Sequence, residues 1–335
     1  MGYRRRASCA PPRLVAALTF PVPNPLPDRM VQPLPLPPVH PKRVVYLGTP
    51  QMAVPPLIAL HDAGFDIALV VTGEDKRRGR RAEPSPTPVK LAAIEHGLPV
   101  SHDLADVAGV GADLGVVVAY GRIIKRPLLE VLPMINLHFS LLPRWRGAAP
   151  VERAILAGDS TTGVCVMAVE EGLDTGGIYA TAELAIRRGS TADDLGQQLT
   201  AAGSRLLVRT LRTGLGAAVP QAGEPTYAAK LHAEDLQVHW HAPADDVGRI
   251  VRVGGAWSTF RGRRFKINAA KVWPAESGPG SAGELHGDRV TCGSGTVQLI
   301  TVQPEGKAAT AFADWANGAR PVAGEPLCLA NGDQS

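Results

Sequence analysis

Beyond residue 42 the apolar positions fall into two textures. From 43 to about 211, short continuous apolar runs alternate with stretches of helical spacing. Residues 43–50 (RVVYLGTP) form a β-branched run ending in Gly-Thr-Pro, the pattern of a buried first strand. Residues 52–63 have helical spacing and stop at Gly64, a residue suited to the left-handed position after a helix. A second apolar run covers 65–72, a helix covers 89–96 and stops at Gly97, and a third buried strand covers 113–121. Further strands are expected at 163–170 and 177–186. Residues 191–211 predict a long helix, with Ser190 or Thr191 as its cap and Asp193 and Asp194 complementing the dipole. Strands apolar along their whole length, alternating with helices, predict an α/β fold with a Rossmann-like, mostly parallel sheet.

After residue 212 the texture changes. Residues 214–225 are rich in Gly, Ala and Pro and read as part of a linker over 213–231. From 236 onward, strand-like runs at 259–267, 289–292 and 296–302 are separated by glycines, which predicts a small all-β barrel or sandwich over 232–330. The catalytic domain is then 42–212. Residues 1–41 hold eleven of the thirty prolines and the Arg4-Arg5-Arg6 cluster, and proline at this density sustains neither helix nor central strand. They are expected to be a disordered leader outside the fold, or the product of an over-long reading frame that truly starts at Met30 or later. The apolar patch at 14–20 lacks the length and cleavage site of a signal peptide.

Composition narrows the function classes. At 335 residues, and roughly 150 per domain, two domains are expected. A 45% hydrophobic share with 20% charged residues excludes a disordered chain. The formal charge is +4, but residues 1–41 alone carry five arginines and one aspartate, so the remainder is balanced. Bulk basicity therefore says nothing about a nucleic-acid partner; only local segregation of charge can. The four cysteines, Cys9, Cys165, Cys292 and Cys328, form no CxxC pair. That argues against a thiolate zinc site or a disulfide scaffold and suits the reducing cytoplasm. No apolar run approaches the ~20 residues of a membrane span.

The first strand runs into Gly48-Thr49-Pro50 with no GxGxxG or GxxxxGK[ST] after it, which excludes a nicotinamide dehydrogenase or a P-loop enzyme. The informative stretch is 135–150, INLHFSLLPRWRGAAP. On a strand, Asn136 and His138 share one face, about 6.6 Å apart. An amide donor beside an imidazole suits acyl-type transfer: the amide holds a carbonyl oxygen as it gains charge, and the imidazole stabilises charge or moves a proton. Asp174, within GLDTGG at 172–177, can orient His138 or take a proton from an incoming amine; alone it would read as a turn aspartate. His239 and His241 have same-face strand spacing but no third ligand, so an edge strand is expected there rather than a metal site.

Asn136-x-His138 followed by Ser140-Leu141-Leu142-Pro143, with Gly-Leu-Asp174-Thr-Gly downstream, resembles the signature of the formyltransferases that use 10-formyltetrahydrofolate. The stretches 43–50, 83–100, 116–124 and 302–307 extend the likeness to the methionyl-tRNA formyltransferase family, over nearly all of 43–328. The resemblance implies that Asn136 binds the formyl oxygen, that His138 assists by hydrogen bonding or acid–base work, and that Asp174 sets the histidine and relays the amine proton. It implies a folate site walled by Ser140, Leu141, Leu142 and Pro143, with the pterin near Val118, Tyr120 and Gly121 and held largely by backbone groups. No metal is implied, and a monomer without membrane attachment is expected. The C-terminal barrel would be OB-like and bind tRNA. The initiator methionyl-tRNA implied as acceptor would meet two basic patches: Lys76, Arg77, Arg78, Arg80 and Arg81, and, within 249–271, Arg261, Arg263, Arg264 and Lys266. The 251–257 segment is shorter than the family's usual stretch, which carries an Asn-Pro-Trp-Pro-like turn. Two rivals remain: a formyltransferase acting on a small amine such as a nucleotide-linked amino sugar, and a non-catalytic tRNA-binding protein. Neither rival accounts for both the basic patches and the three catalytic residues.

Overall fold

The computed structural model describes residues 33–77 and 83–327. The first sheet is built from β1 (Arg43–Gly48), β2 (Asp66–Val71), β3 (Val100–Ser101), β4 (Leu114–Val118), β5 (Met134–His138), β6 (Thr161–Ala168) and β7 (Ile178–Ala185). Their order is β3-β2-β1-β4-β5-β6-β7, parallel from β3 to β5, with β6 running antiparallel to both β5 and β7. The chain turns outward in both directions from β1 and β4, so the crevice at their carboxyl ends is where an open α/β sheet places a ligand.

Helices cover the sheet for reasons visible in their ends. Helix α1 (Val54–Asp62) carries proline in its first turn and is followed by Gly64 at φ +84°. Helix α2 (Pro88–Glu95) is capped by the Thr87 side chain, which accepts from the Lys90 N–H at 3.1 Å. Helix α4 (Pro150–Ala157), after the short α3 (Arg126–Leu129), runs into Gly158 in the left-handed region. Helix α5 (Ala192–Thr213) has a full capping box between Thr191 and Asp194, so Thr191 is the cap. One face of the sheet packs Val44, Tyr46, Val116, Ile135, Leu137 and Val164 against α1, α2 and α5; the other packs Val45, Leu47, Leu69, Val117 and Met134 over α3.

The C-terminal domain differs from the all-β expectation. It opens with helix α6 (Ala244–Val253) and later adds α7 (Phe312–Ala319). Helix α6 has acidic residues in its first turn and buries Ala244, Val247, Gly248 and Val251, while Arg249 pairs with Asp246 and Arg252 donates to the Ser190 carbonyl. Asp245, Asp246, Arg249 and Arg252 interrupt its apolar residues, so the stretch shows no continuous apolar run. The strands are β8 (Trp257–Phe260), β9 (Arg263–Trp273), β10 (Glu284–His286), β11 (Arg289–Thr291), β12 (Thr296–Pro304) and β13 (Glu325–Pro326). They form an antiparallel sheet in the order β8-β9-β12-β11-β10-β13. Its ends nearly close: Ser258 of β8 donates to the Leu327 carbonyl just past β13, at 3.2 Å. Phe260, Phe265, Ile267, Val297, Leu299 and Phe312 fill the interior, so Phe260 is core. The 251–257 connection turns sharply through Gly254 and Gly255, both with positive φ.

Three local expectations are corrected. Residues 34–41 belong to the fold: Leu34 packs against the second core face, and the Val39 carbonyl accepts from the Leu215 N–H at 2.7 Å. Residues 239–241 form a turn rather than an edge strand, because Trp240 buries its ring and donates from Nε1 to Ser258. The 213–231 stretch is not a free tether; it lies in hydrogen-bonded contact with the first sheet and its loops.

Candidate active site

Strand β5 ends at the carboxyl edge of the sheet. Asn136 is its one half-exposed residue, while His138 keeps only 6% of its side-chain surface. The loop after β6 returns Asp174 to this strand. Its Oδ1 lies 3.4 Å from Asn136 Nδ2 and its Oδ2 lies 3.6 Å from His138 Nδ1. The Gly147 N–H donates to Oδ2 at 2.7 Å. Gly147 has φ +118°, and a Cβ there would lie 2.8 Å from the Ala228 carbonyl oxygen, so only glycine fits. Asp174 itself is left-handed, at φ +51°. The three residues expected to carry the chemistry therefore converge.

The tautomer of His138 follows from its other nitrogen. Nε2 lies 2.9 Å from the Trp145 carbonyl oxygen, which can only accept, so Nε2 carries the proton. Nδ1 is left facing the Asp174 carboxylate, as an acceptor when the ring is neutral and as a paired donor when it is charged. The Asn136 amide makes only the long contact to Asp174 among the described residues, which leaves donor capacity for a substrate oxygen. The arrangement provides an oxyanion donor, an oriented imidazole and a carboxylate in one cleft. Among the described residues, burial pushes the Cys165 thiol up to about 11 and the Cys292 thiol up to about 12, which keeps both protonated at neutral pH.

The expected folate wall divides in two. Ser140 is fully buried and donates to the Arg144 carbonyl at 2.6 Å, so it supports the loop and its hydroxyl is not free for a ligand. Leu142 packs with Cys165 and Met167. Leu141 and Pro143 keep partial exposure. Val118 and Tyr120 point into opposite cores, leaving their backbone at the cleft beside Gly121, which is exposed at φ +72°. The exposed Ile123 and Leu173 add apolar surface. Among the described residues, no group of three His, Cys, Asp or Glu could hold a metal ion.

Of the basic patches, Lys76 and Arg77 form an exposed strand pairing with Pro84–Ser85, whereas Arg78, Arg80 and Arg81 lie outside the described residues. Arg263 and Arg264 are exposed and Lys266 is half-buried, with Arg264 stacked 4.3 Å over Trp257. Arg261 differs: its guanidinium grips the Glu325 carboxylate through two nitrogens. Sequence reasoning missed Arg146 and Gln221. Gln221 sits in the stretch that reads as a linker, and only its polarity within a Gly/Ala/Pro run could have marked it.

A switch-point cleft with an amide, an imidazole and a carboxylate, on an α/β domain followed by a near-closed barrel, defines a group transferase acting at a carbonyl. Comparison with known proteins gives the family. The formyl transferase family matches residues 42–211, and the formyl transferase C-terminal domain matches 230–320. A methionyl-tRNA formyltransferase of Roseobacter denitrificans is 43% identical over 292 residues, covering 82% of this chain and 95% of that protein. One from an Arthrobacter species is 42% identical over 296 residues, covering 82% and 96%. The chain belongs to the methionyl-tRNA formyltransferase family. Two solved structures share its fold. HypX from Aquifex aeolicus, in complex with tetrahydrofolic acid, has a TM-score of 0.58 at 17% identity, over 83% of this chain and 47% of that one. The N-formyltransferase from Helicobacter canadensis, in complex with folinic acid and dTDP-3-aminofucose, has 0.59 at 16%, over 77% and 98%.

Proposed function

We propose that the protein transfers the formyl group of 10-formyltetrahydrofolate to the α-amine of methionyl-initiator tRNA, in the cytoplasm and as a monomer. The observation that carries the reading is the Asp174 carboxylate set between Asn136, His138 and the Gly147 N–H. The folate co-substrate supplies an activated formyl carbon. Asn136 Nδ2 donates to the formyl oxygen as the amine attacks and negative charge builds there. His138 holds its orientation through Nε2 and presents Nδ1 to the centre, where it takes up a proton and, once protonated, steadies that charge. Asp174 accepts the proton that the attacking amine must lose, directly or through water, and balances the imidazolium; as the tetrahedral intermediate collapses, the bond from the formyl carbon to folate N10 breaks, N10 takes up a proton, and tetrahydrofolate leaves. The backbone at 118–121 and the exposed edges of Leu141 and Pro143 hold the pterin.

Arg263, Arg264, Lys76 and Arg77 supply exposed charge for tRNA phosphates, with the half-buried Lys266 beside them, which gives affinity without reading bases. A small-amine acceptor would share the three catalytic residues but would not use these patches. Incubating the protein with 10-formyltetrahydrofolate and either charged initiator tRNA or free amines, and following folate release, separates the readings. The expected result is turnover that depends on charged tRNA. Turnover of small amines with indifference to tRNA overturns the acceptor. No turnover with any acceptor, despite tRNA binding, makes the protein a binding module.

A further inference from the structure

The segment that joins the two sheets reaches into the catalytic centre, and we infer that Gln221 is a positioning residue for formyl transfer. This rests on the functional reading above. Gln221 Nε2 donates to the Asp174 carbonyl oxygen at 2.8 Å and to the Gly176 carbonyl oxygen at 2.9 Å. Its Oε1 accepts from Arg146 Nε at 3.1 Å and from a terminal Arg146 nitrogen at 2.7 Å. Both N–H bonds and both lone pairs of the amide are therefore used, which fixes the side chain in one orientation.

The group being held needs holding. Asp174 is a non-glycine residue in the left-handed region, a conformation that L side chains adopt only where the surroundings impose it. The loop around it is tight: a Cβ on Gly176 would lie 2.0 Å from the Ala168 carbonyl oxygen. Gln221 clamps the two carbonyls of this turn. Rotation of the Asp174 backbone would swing both carboxylate oxygens away from Asn136 and His138 together. Through Arg146, the same side chain ties the Asp174 loop to the 145–149 loop, which supplies the Trp145 carbonyl to His138 and the Gly147 N–H to Asp174.

Gln221 is itself anchored on both sides. Val219 exchanges two backbone hydrogen bonds with Ile178, and Tyr227–Ala228 pairs in parallel with Arg146–Gly147. The Thr226 hydroxyl accepts from the Trp145 N–H at 2.9 Å. Gln221 is half-buried, and the near-isosteric replacements below keep its length, so they remove the clamp without opening a cavity.

Two near-isosteric variants of the full chain test the role. Gln221→Glu keeps the Arg146 pair but turns an acceptor toward the two carbonyls. Gln221→Met keeps the length and removes all four bonds. The expected result in both is a kcat lowered by about ten- to hundredfold, the range that misplacing a catalytic group by an ångström produces. KM for folate and for charged tRNA should stay within twofold, and the thermal midpoint within a few degrees. A kcat within twofold of the parent in both variants overturns the proposal. So does a large fall in thermal midpoint with kcat retained, or a loss confined to the KM for tRNA. Formylation by the parent chain is the separate control for the functional reading, so failure there and failure of the Gln221 role are told apart.

Discussion

At the carboxyl edge of the first sheet, His138 and Asp174 keep 6% and 12% of their side-chain surface and spend their polar atoms on each other and on the backbone. On the barrel, Arg263 and Arg264 lie in solvent, and the nearest organised contact is a guanidinium over Trp257. Both regions are polar, but the first is convergent and pre-set, and the second is open and diffuse. Charge developing in a reaction is stabilised best by donors that are already oriented and need not reorganise. Long-range attraction of a phosphate backbone needs only exposed positive charge near its path. The barrel also contains a trap for simple charge counting. Arg261 lies in the same basic run as Arg263 and Arg264, yet Glu325 neutralises it and closes the turn between β8 and β9 onto β13.

Substitutions can break this contrast, and their expected effects fall in order. Asn136→Ala should lower kcat by about a hundredfold or more with a modest change in tRNA KM, as removal of one oxyanion donor does elsewhere; single-turnover formylation measures it. An unchanged rate would remove Asn136 from the chemistry. Arg263→Gln with Arg264→Gln should raise the KM for charged tRNA by about tenfold and lower the slope of log KM against log salt by roughly one for each phosphate left without its cation. The kcat should hold. KM measured at several salt concentrations decides it, and an unchanged slope would mean that this face does not meet the tRNA. Arg77→Ala should raise the same KM by a smaller factor, about twofold to fivefold, because it removes a single exposed charge. No change at physiological salt would count against the hairpin of Lys76–Arg77.

The smallest effect is at Arg261. Arg261→Gln should leave tRNA KM unchanged and lower the thermal midpoint only slightly, since solvent screens a pair whose guanidinium lies in water. The Arg261 guanidinium beside Glu325 holds that carboxyl below its ordinary value. A lowered carboxyl pKa in the folded state stabilises above the ordinary value of about 4.3 and is lost as pH falls through the lowered one. Melting curves of the parent and Arg261→Gln should therefore differ at neutral pH and converge in acid. A tRNA KM that rises with Arg261→Gln would return Arg261 to the binding face.

Much of this was readable along the chain, and the reasons are local. Buried parallel strands are continuous apolar runs, so β1, β2 and β4 stand out in sequence, and glycine marks the ends of α1 and α2 because few other residues take φ near +84° or +66°. Asn136 and His138 share a face because strand side chains alternate, which needs no tertiary information. Helix α6 escaped notice because its buried stripe of Val247 and Val251 is diluted by Asp and Arg that pair with each other and with the domain before it.

The alternation of elements, the two-domain division of texture and the residue types at the site are all written along the chain. Which neighbours those residues have is settled by the fold. The 38 positions between Asn136 and Asp174 are closed by the β5–β6 pairing and the turn behind it. Gln221 lies 47 positions beyond Asp174 and still sets the conformation of its loop. Local propensity acts over a few residues, whereas hydrogen bonds between distant loops exist only once the sheet has brought them together. For that reason a run that reads as a linker could become part of the catalytic centre, and a run that reads as basic could conceal an arginine already paired.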